Sequence, residues 1–86
     1  MYKLVLSREA ERQYAAADVP LARKLARCFE RIERNPRSAG NIRALKGPLA
    51  GHFRYRVGDH RVVYRIDEAN QIVSIVTIAH RRDVYD

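Results

Sequence analysis

The sequence predicts an α+β domain: two N-terminal helices packed on one face of a small, mainly antiparallel four-stranded sheet, in the order β-α-α-β-β-β. Three observations carry that expectation. Leu21, Leu25, Cys28, Phe29 and Ile32 recur at helical spacing and form an apolar stripe. Two alternating runs flank Gly58-Asp59, a glycine-first pair suited to a tight hairpin turn. The run from Gln71 to Ala79 is apolar at both parities, as in a central strand covered on both faces.

The elements follow in order. Tyr2 to Leu6 reads as a first strand. Ser7 is placed to cap a helix, with Glu9 and Glu11 in the first turn, where the helix dipole favours acids. Ala10, Tyr14 and Ala17 mark the apolar face of that helix. Asp18-Val-Pro20 breaks the chain and restarts it, since proline fits the first turn of a helix. Asn35-Pro36 ends the second helix, because the residue before proline avoids the α region. Residues 37–51 read as a loop, with a short strand near Ala44-Leu45 as an option. The hairpin comes next, and Asp67 to Asn70 make a second turn before the last strand. His80 to Asp86 form a polar tail carrying Val84 and Tyr85.

The 86 residues are read as one domain (1–86), near the lower size limit for a core without staples. A single Cys28 allows no internal disulfide, and no Cys and His cluster has zinc-site spacing, so no metal or cofactor is expected. Nothing resembles a signal peptide, and no apolar run nears the ~20 residues that span a bilayer. A cytosolic setting without membrane association is the expectation.

The charge is unbalanced, at a formal +7, and arginine far outnumbers lysine. Arginine offers a planar fork that binds phosphate bidentately and stacks on bases. The excess is also localised. Between residues 37 and 65, Arg37, Arg43, Lys46, Arg54, Arg56, Arg61 and Arg65 face only Asp59. A two-residue loop sets Arg56 opposite Arg61, Arg54 opposite Val63 and Tyr55 opposite Val62. Alternation then projects Arg54, Arg56, Arg61 and Arg65 to one side. Phe53, Tyr55, Val57, Val62, Tyr64 and Ile66 project to the other, where the helices would cover them. Like charges in cross-strand pairs repel, so such a row points to a polyanionic partner. With a four-residue loop at Asp67–Asn70, Ile72, Ser74, Val76, Ile78 and His80 are expected on the arginine side.

Four segments carry a family resemblance: Leu45-Lys-Gly47, Phe53-Arg-Tyr-Arg-Val57, Arg61-Val-Val-Tyr-Arg65 and His80-Arg-Arg-Asp-Val-Tyr85. In this order and at these intervals, the chain resembles the RelE/ParE superfamily of bacterial toxins from type II toxin–antitoxin pairs, and within it the RelE branch. The resemblance covers essentially the whole chain and implies a RelE-like fold. It also implies an endoribonuclease that cuts mRNA in the ribosomal A site, without metal, by attack of a ribose 2′-hydroxyl on the adjacent phosphate.

Position by position, the resemblance implies that Arg54 and Arg56 bind phosphate and stabilise charge, and that Arg61 clamps the scissile phosphate. The family often has lysines where Arg54 and Arg56 stand; arginine stays protonated and is a poor general base. Arg81 would stabilise the transition state or serve the leaving oxygen, and Tyr85 would stack on a base. His80 would carry protons, histidine being the side chain that titrates near neutrality. Lys46, His52, Arg65 and Arg82 are further candidate contacts to RNA or the ribosome. Implied partners are a RelB-like antitoxin, mRNA, the ribosome with its rRNA, and operator DNA only through the antitoxin complex.

Each residue also has a plain structural role open to it. Outward arginines are often solvated charges, and Tyr85 can anchor the terminus. Phe53, Tyr55 and Tyr64 are expected in the core, Cys28 as a small core residue, and His60 as incidental at a hairpin end. Two other functions stay open: a ParE-like inhibitor of DNA gyrase, which needs no catalytic tail, and an inactive domain that only binds an antitoxin and contributes to repression.

Overall fold

A computed structural model describes residues 1–37 and 40–83. Five strands and two helices follow in the order β1 (Lys3–Leu6), α1 (Arg8–Ala16), α2 (Val19–Arg34), β2 (Ile42–Ala44), β3 (Phe53–Val57), β4 (His60–Asp67) and β5 (Ile72–His80). Short 3-10 turns lie at Gly47–Leu49 and Arg81–Asp83. The sheet order is β1-β5-β4-β3-β2, with β1 parallel to β5 and every other pairing antiparallel. The α+β class holds, and the four-stranded expectation gains one strand. The extra strand, β2, is three residues long and pairs along β3, placing Arg43 opposite Arg54. A segment that short, set between loop residues, acquires strand geometry from its neighbour rather than from its own pattern.

Both helices start where the chain provides caps. The Ser7 hydroxyl accepts from the Ala10 amide at 3.0 Å, and Asp18 Oδ1 accepts from Leu21 N at 3.0 Å. The stripe of α2 buries Leu25, Cys28, Phe29 and Ile32 against Tyr55, Val57, Val62, Tyr64, Val73, Ile75 and Ile78 of the sheet. Tyr14 of α1 meets Phe29 edge to face at 5.3 Å, and Phe53 stacks on Tyr64 at 5.9 Å. The Tyr64 hydroxyl donates to the Pro36 carbonyl at 2.7 Å, tying the exit of α2 to the core.

Burial pushes the Cys28 thiol up from 9.0 to about 12, with Arg31 pulling weakly the other way, and it also raises the Tyr64 phenol. Below pH 9 both folded and unfolded chains keep the thiol proton. Above it, only the unfolded chain releases that proton readily, so stability falls as pH rises toward 12. Urea midpoints measured between pH 8 and 10.5 are therefore expected to decline, and the decline to be shallower in Cys28→Ala. Parallel pH profiles for the two proteins would show that the thiol contributes nothing.

The hairpin register is the expected one: Arg56 opposite Arg61, Tyr55 opposite Val62 and Arg54 opposite Val63. Gly58 at φ +57° opens the two-residue loop, a conformation that a side chain would strain. The next loop lies one residue later than expected, since Asp67 pairs with Ile72. Its four-residue length is unchanged, so Ile72 and Ser74 fall on the arginine side. Val76 lines a cleft together with Val63 and Thr77 of that face, and for Ile78 and His80 the expectation fails.

A register shift between Val63 and Tyr64 pairs Tyr64 with Ile75 but Val63 with Thr77, leaving Val76 as an extra residue in β5. Alternation reverses there. Ile78 now pairs with Val62 in the core at 5% exposed, and His80 pairs with His60, so neither lies on the arginine face. An apolar run without alternation does not specify its own register, and the bulge buries Ile75 and Ile78 together. The Ser7 hydroxyl, already capping α1, donates to the carbonyl of the extra Val76 at 2.7 Å.

β1 covers the outer edge of β5 only as far as Ile75. From there α1 takes over. Gln13 Oε1 accepts from the Ile78 amide at 2.6 Å, and its Nε2 donates to Thr77 Oγ1 at 3.0 Å. The helix thereby protects an edge that would otherwise present unpaired backbone groups.

Candidate functional site

The sheet face away from the core carries the basic residues in cross-strand rows. One row runs Arg43, Arg54, Val63, Thr77 from β2 to β5, the next Arg56, Arg61, Ala79, and another pairs Arg65 with Ser74. Arg56 and Arg61 are direct partners, so their side chains leave the sheet from Cβ atoms ~5 Å apart. Arg56 and Arg65 are exposed and Arg61 half-buried. Arg54 differs: it is only 5% exposed, and its guanidinium donates to the Asn41 carbonyl at 3.2 Å. The expectation of an outward row is thus corrected at one position, where Arg54 forms a floor.

The tail meets this face at the hairpin end of the sheet. The Arg81 amide donates to the Asp59 carbonyl at 2.7 Å, and its guanidinium lies 3.8 Å from Asp59 Oδ1, both side chains being exposed. Arg81 is thereby held beside the turn that connects the Arg56 and Arg61 strands. His80 stands on the helix side of the same end. Its ring meets His60 edge to face at 5.3 Å, and its Nδ1 accepts from Arg82 N at 3.3 Å. His80 also lines a cleft beside α1, together with Thr77 and Ala79. Tyr85 lies outside the described residues.

The other candidates are spread along the rim. Lys46 is exposed and precedes the 3-10 turn. His52 is half-buried, with its Nδ1 3.2 Å from the Leu49 carbonyl. Arg82 is exposed. Arg37 is drawn away from the basic face by Glu68, at 3.3 Å, and by the Phe53 ring, at 5.4 Å.

Sequence reasoning missed Arg43, whose signal was the weak alternation of Ile42, Arg43 and Ala44. It also missed a cleft of about 540 Å³ between α1 and the open face, lined by Glu9, Arg12, Gln13, Leu49, Val63 and Thr77 among others. The i, i+3, i+4 spacing of Glu9, Arg12 and Gln13 was the available sign that these side chains share a helix face.

Among the described residues, no group of three or more His, Cys, Asp or Glu is arranged to hold a metal ion. Nor is any described helix long and apolar enough to cross a membrane. The basic face itself presents guanidinium groups, with their fixed charge and paired donors, and Arg81 stands beside them at the hairpin turn.

The described residues thus form a small sheet backed by two helices, with arginines on its open face and Arg81 and Arg82 at one end. The family profile described as "ParE toxin of type II toxin-antitoxin system, parDE" matches residues 4–85. The chain belongs to this family, within the RelE/ParE superfamily of type II toxin–antitoxin systems.

Toxin RelG of Mycobacterium tuberculosis is 39% identical over 57 residues, covering 66% of this chain and 63% of that protein. The chain thus matches less than two thirds of that relative's length. The toxin–antitoxin complex RelBE2 of M. tuberculosis contains a chain 30% identical to this one, with a TM-score of 0.72 over 93% of this chain and 98% of that one. A YoeB/ParE toxin from Agrobacterium tumefaciens is 25% identical, with a TM-score of 0.80 over 91% of this chain and 96% of that one.

Proposed function

We propose that this toxin is an endoribonuclease that cuts mRNA on the ribosome, in the A site. The observation that supports the reading is the Arg56–Arg61 pair on the open face, with Arg54 one cross-strand row away and Arg81 bonded to Asp59 in the turn between the two strands. In the proposed reaction the ribose 2′-oxygen loses its proton and bonds to the adjacent phosphorus. The bond from phosphorus to the 5′-oxygen breaks, and that oxygen takes up a proton. The products are a 2′,3′-cyclic phosphate and a free 5′-hydroxyl.

Arg56 and Arg61 hold the phosphate from above and Arg54 supplies positive charge from the floor, all three matched to oxygens that gain charge in the transition state. Arg81 serves the leaving side, and Tyr85 stacks on a neighbouring base. His80 exchanges protons from the end of β5. Guanidinium groups carry no proton-accepting site, so the proton steps need the tail or the RNA itself. No metal or cofactor enters this scheme. Lys46, His52, Arg65 and Arg82 extend the contact to RNA or rRNA, and affinity is expected to weaken with salt as phosphate counterions are released.

A RelB-like antitoxin is the proposed neutralising partner, laying an acidic-apolar segment on the basic face. Operator DNA is reached only through that complex. The proposed place of action is the cytoplasm, where translated mRNA is found.

The test is expression in cells without an antitoxin, followed by primer extension on translated messages. Growth arrest with cuts inside reading frames is expected, and Arg81→Ala is expected to reduce cutting by roughly 10²-fold. Intact messages together with double-strand DNA breaks would instead support gyrase inhibition, the reading that the ParE name of the matched family favours.

A further inference from the structure

The cleft beside α1 lies on the open face, in register with the arginines. Its floor includes Val63, the cross-strand partner of Arg54, and Thr77, the partner of Val63. Ala79, the partner of Arg61, lines it too. From the Arg54 strand to the Thr77 strand is two strand spacings, about 10 Å, a distance that one nucleotide bridges between its phosphate and its base. The apolar floor of Val63, Val76, Ala79 and Leu49 suits the flat face of a base. The wall is polar: Glu9 and Arg12 are exposed on one side of α1, while the amide of Gln13 is engaged with β5.

We infer that this cleft receives an unstacked nucleobase of the RNA flanking the cut phosphate, and that Glu9 and Arg12 select which base is accepted. The inference rests on the endoribonuclease reading above. RNA-binding sites read bases that leave the stack through hydrogen bonds to their edges and packing on their faces. A carboxylate accepts from exocyclic amino groups, so Glu9 favours an amino-bearing base over uracil. Arg12 adds paired donors for ring nitrogen and carbonyl acceptors. Both side chains are solvent-facing helix positions whose replacement leaves the core untouched.

The experiment is transcript-wide mapping of 5′-hydroxyl ends in cells expressing the full chain or its Glu9→Gln and Arg12→Ala variants. The wild type is expected to cut poorly where uracil occupies one flanking position. Glu9→Gln, whose amide also donates, is expected to raise cutting at those uracil sites about tenfold, within the discrimination of one side chain–base pair. Arg12→Ala is expected to broaden the base preference at the same position. Cut-site patterns identical in wild type and both variants overturn the inference. So does an unchanged pattern with lost neutralisation by the antitoxin, which would assign the cleft to a protein partner. If the wild type yields no cuts, the endoribonuclease reading itself fails and takes this inference with it, a result distinct from cutting that ignores Glu9 and Arg12.

Discussion

Arg61→Ala is expected to abolish mRNA cutting and growth arrest while leaving a folded protein. Arg61 stands on the basic face near the hairpin turn, with Arg56 directly across on β3 and Ala79 across on β5. Under the proposed reaction it meets the phosphate as charge builds on its oxygens, and losing one such preorganised donor costs roughly 10²–10³ in rate. The stability change should stay within about 1 kcal/mol, because a half-buried side chain is lost and repulsion with Arg56 is relieved at the same time. Arg61→Lys keeps the charge but not the bidentate fork, so partial activity is expected. The check is primer extension alongside a thermal melt. Undiminished cutting by a folded Arg61→Ala protein would remove the phosphate clamp from the proposal.

Ile75→Ala is expected to be the most damaging single truncation for stability. Ile75 is fully buried, pairs with Tyr64, and sits immediately before the bulge that lets Ile78 bury as well. Truncating a buried isoleucine costs about 2–5 kcal/mol through lost transfer energy and the cavity left behind. For 86 residues, total stability is of the order of 4–13 kcal/mol, so the loss is a large share of it. Val5→Ala, at a position 43% exposed on β1, is the control and should change stability by no more than ~0.5 kcal/mol. Urea denaturation of both variants makes the comparison. Equal midpoints would contradict the placement of Ile75 at the centre of the core.

Much of the fold was legible because the signals were local. Ser7 and Asp18 cap the helices from within one turn of chain. The α2 stripe needs only a 3.6-residue period, and the two-residue loop at Gly58-Asp59 dictates the entire β3–β4 register. Hence the Arg56–Arg61 pairing followed from order alone. His80 was misplaced because the run from Ile72 to Ala79 is apolar at both parities, so nothing in it marks where alternation reverses. Arg43 belongs to the basic stretch by sequence but is not placed on the face there, because the optional strand near Ala44-Leu45 begins earlier in the fold, at Ile42.

The sequence by itself determined the element order, the helix boundaries, the hairpin register and the concentration of arginine on one sheet face. Each depends on neighbours a few residues apart. Only the tertiary structure decided the bulge at Val76, the burial of Arg54 as a floor, the transfer of His80 to the helix side, and the cleft that Glu9 and Arg12 line together with Val63 and Thr77. Arg54 is buried on the β2 side, against the Asn41 carbonyl, while the other features arise where α1 takes over the β5 edge from β1 and the core demands both Ile75 and Ile78. These last are settled by contacts between segments 65 to 69 residues apart, Ser7 with Val76 and Gln13 with Ile78, which no local pattern encodes.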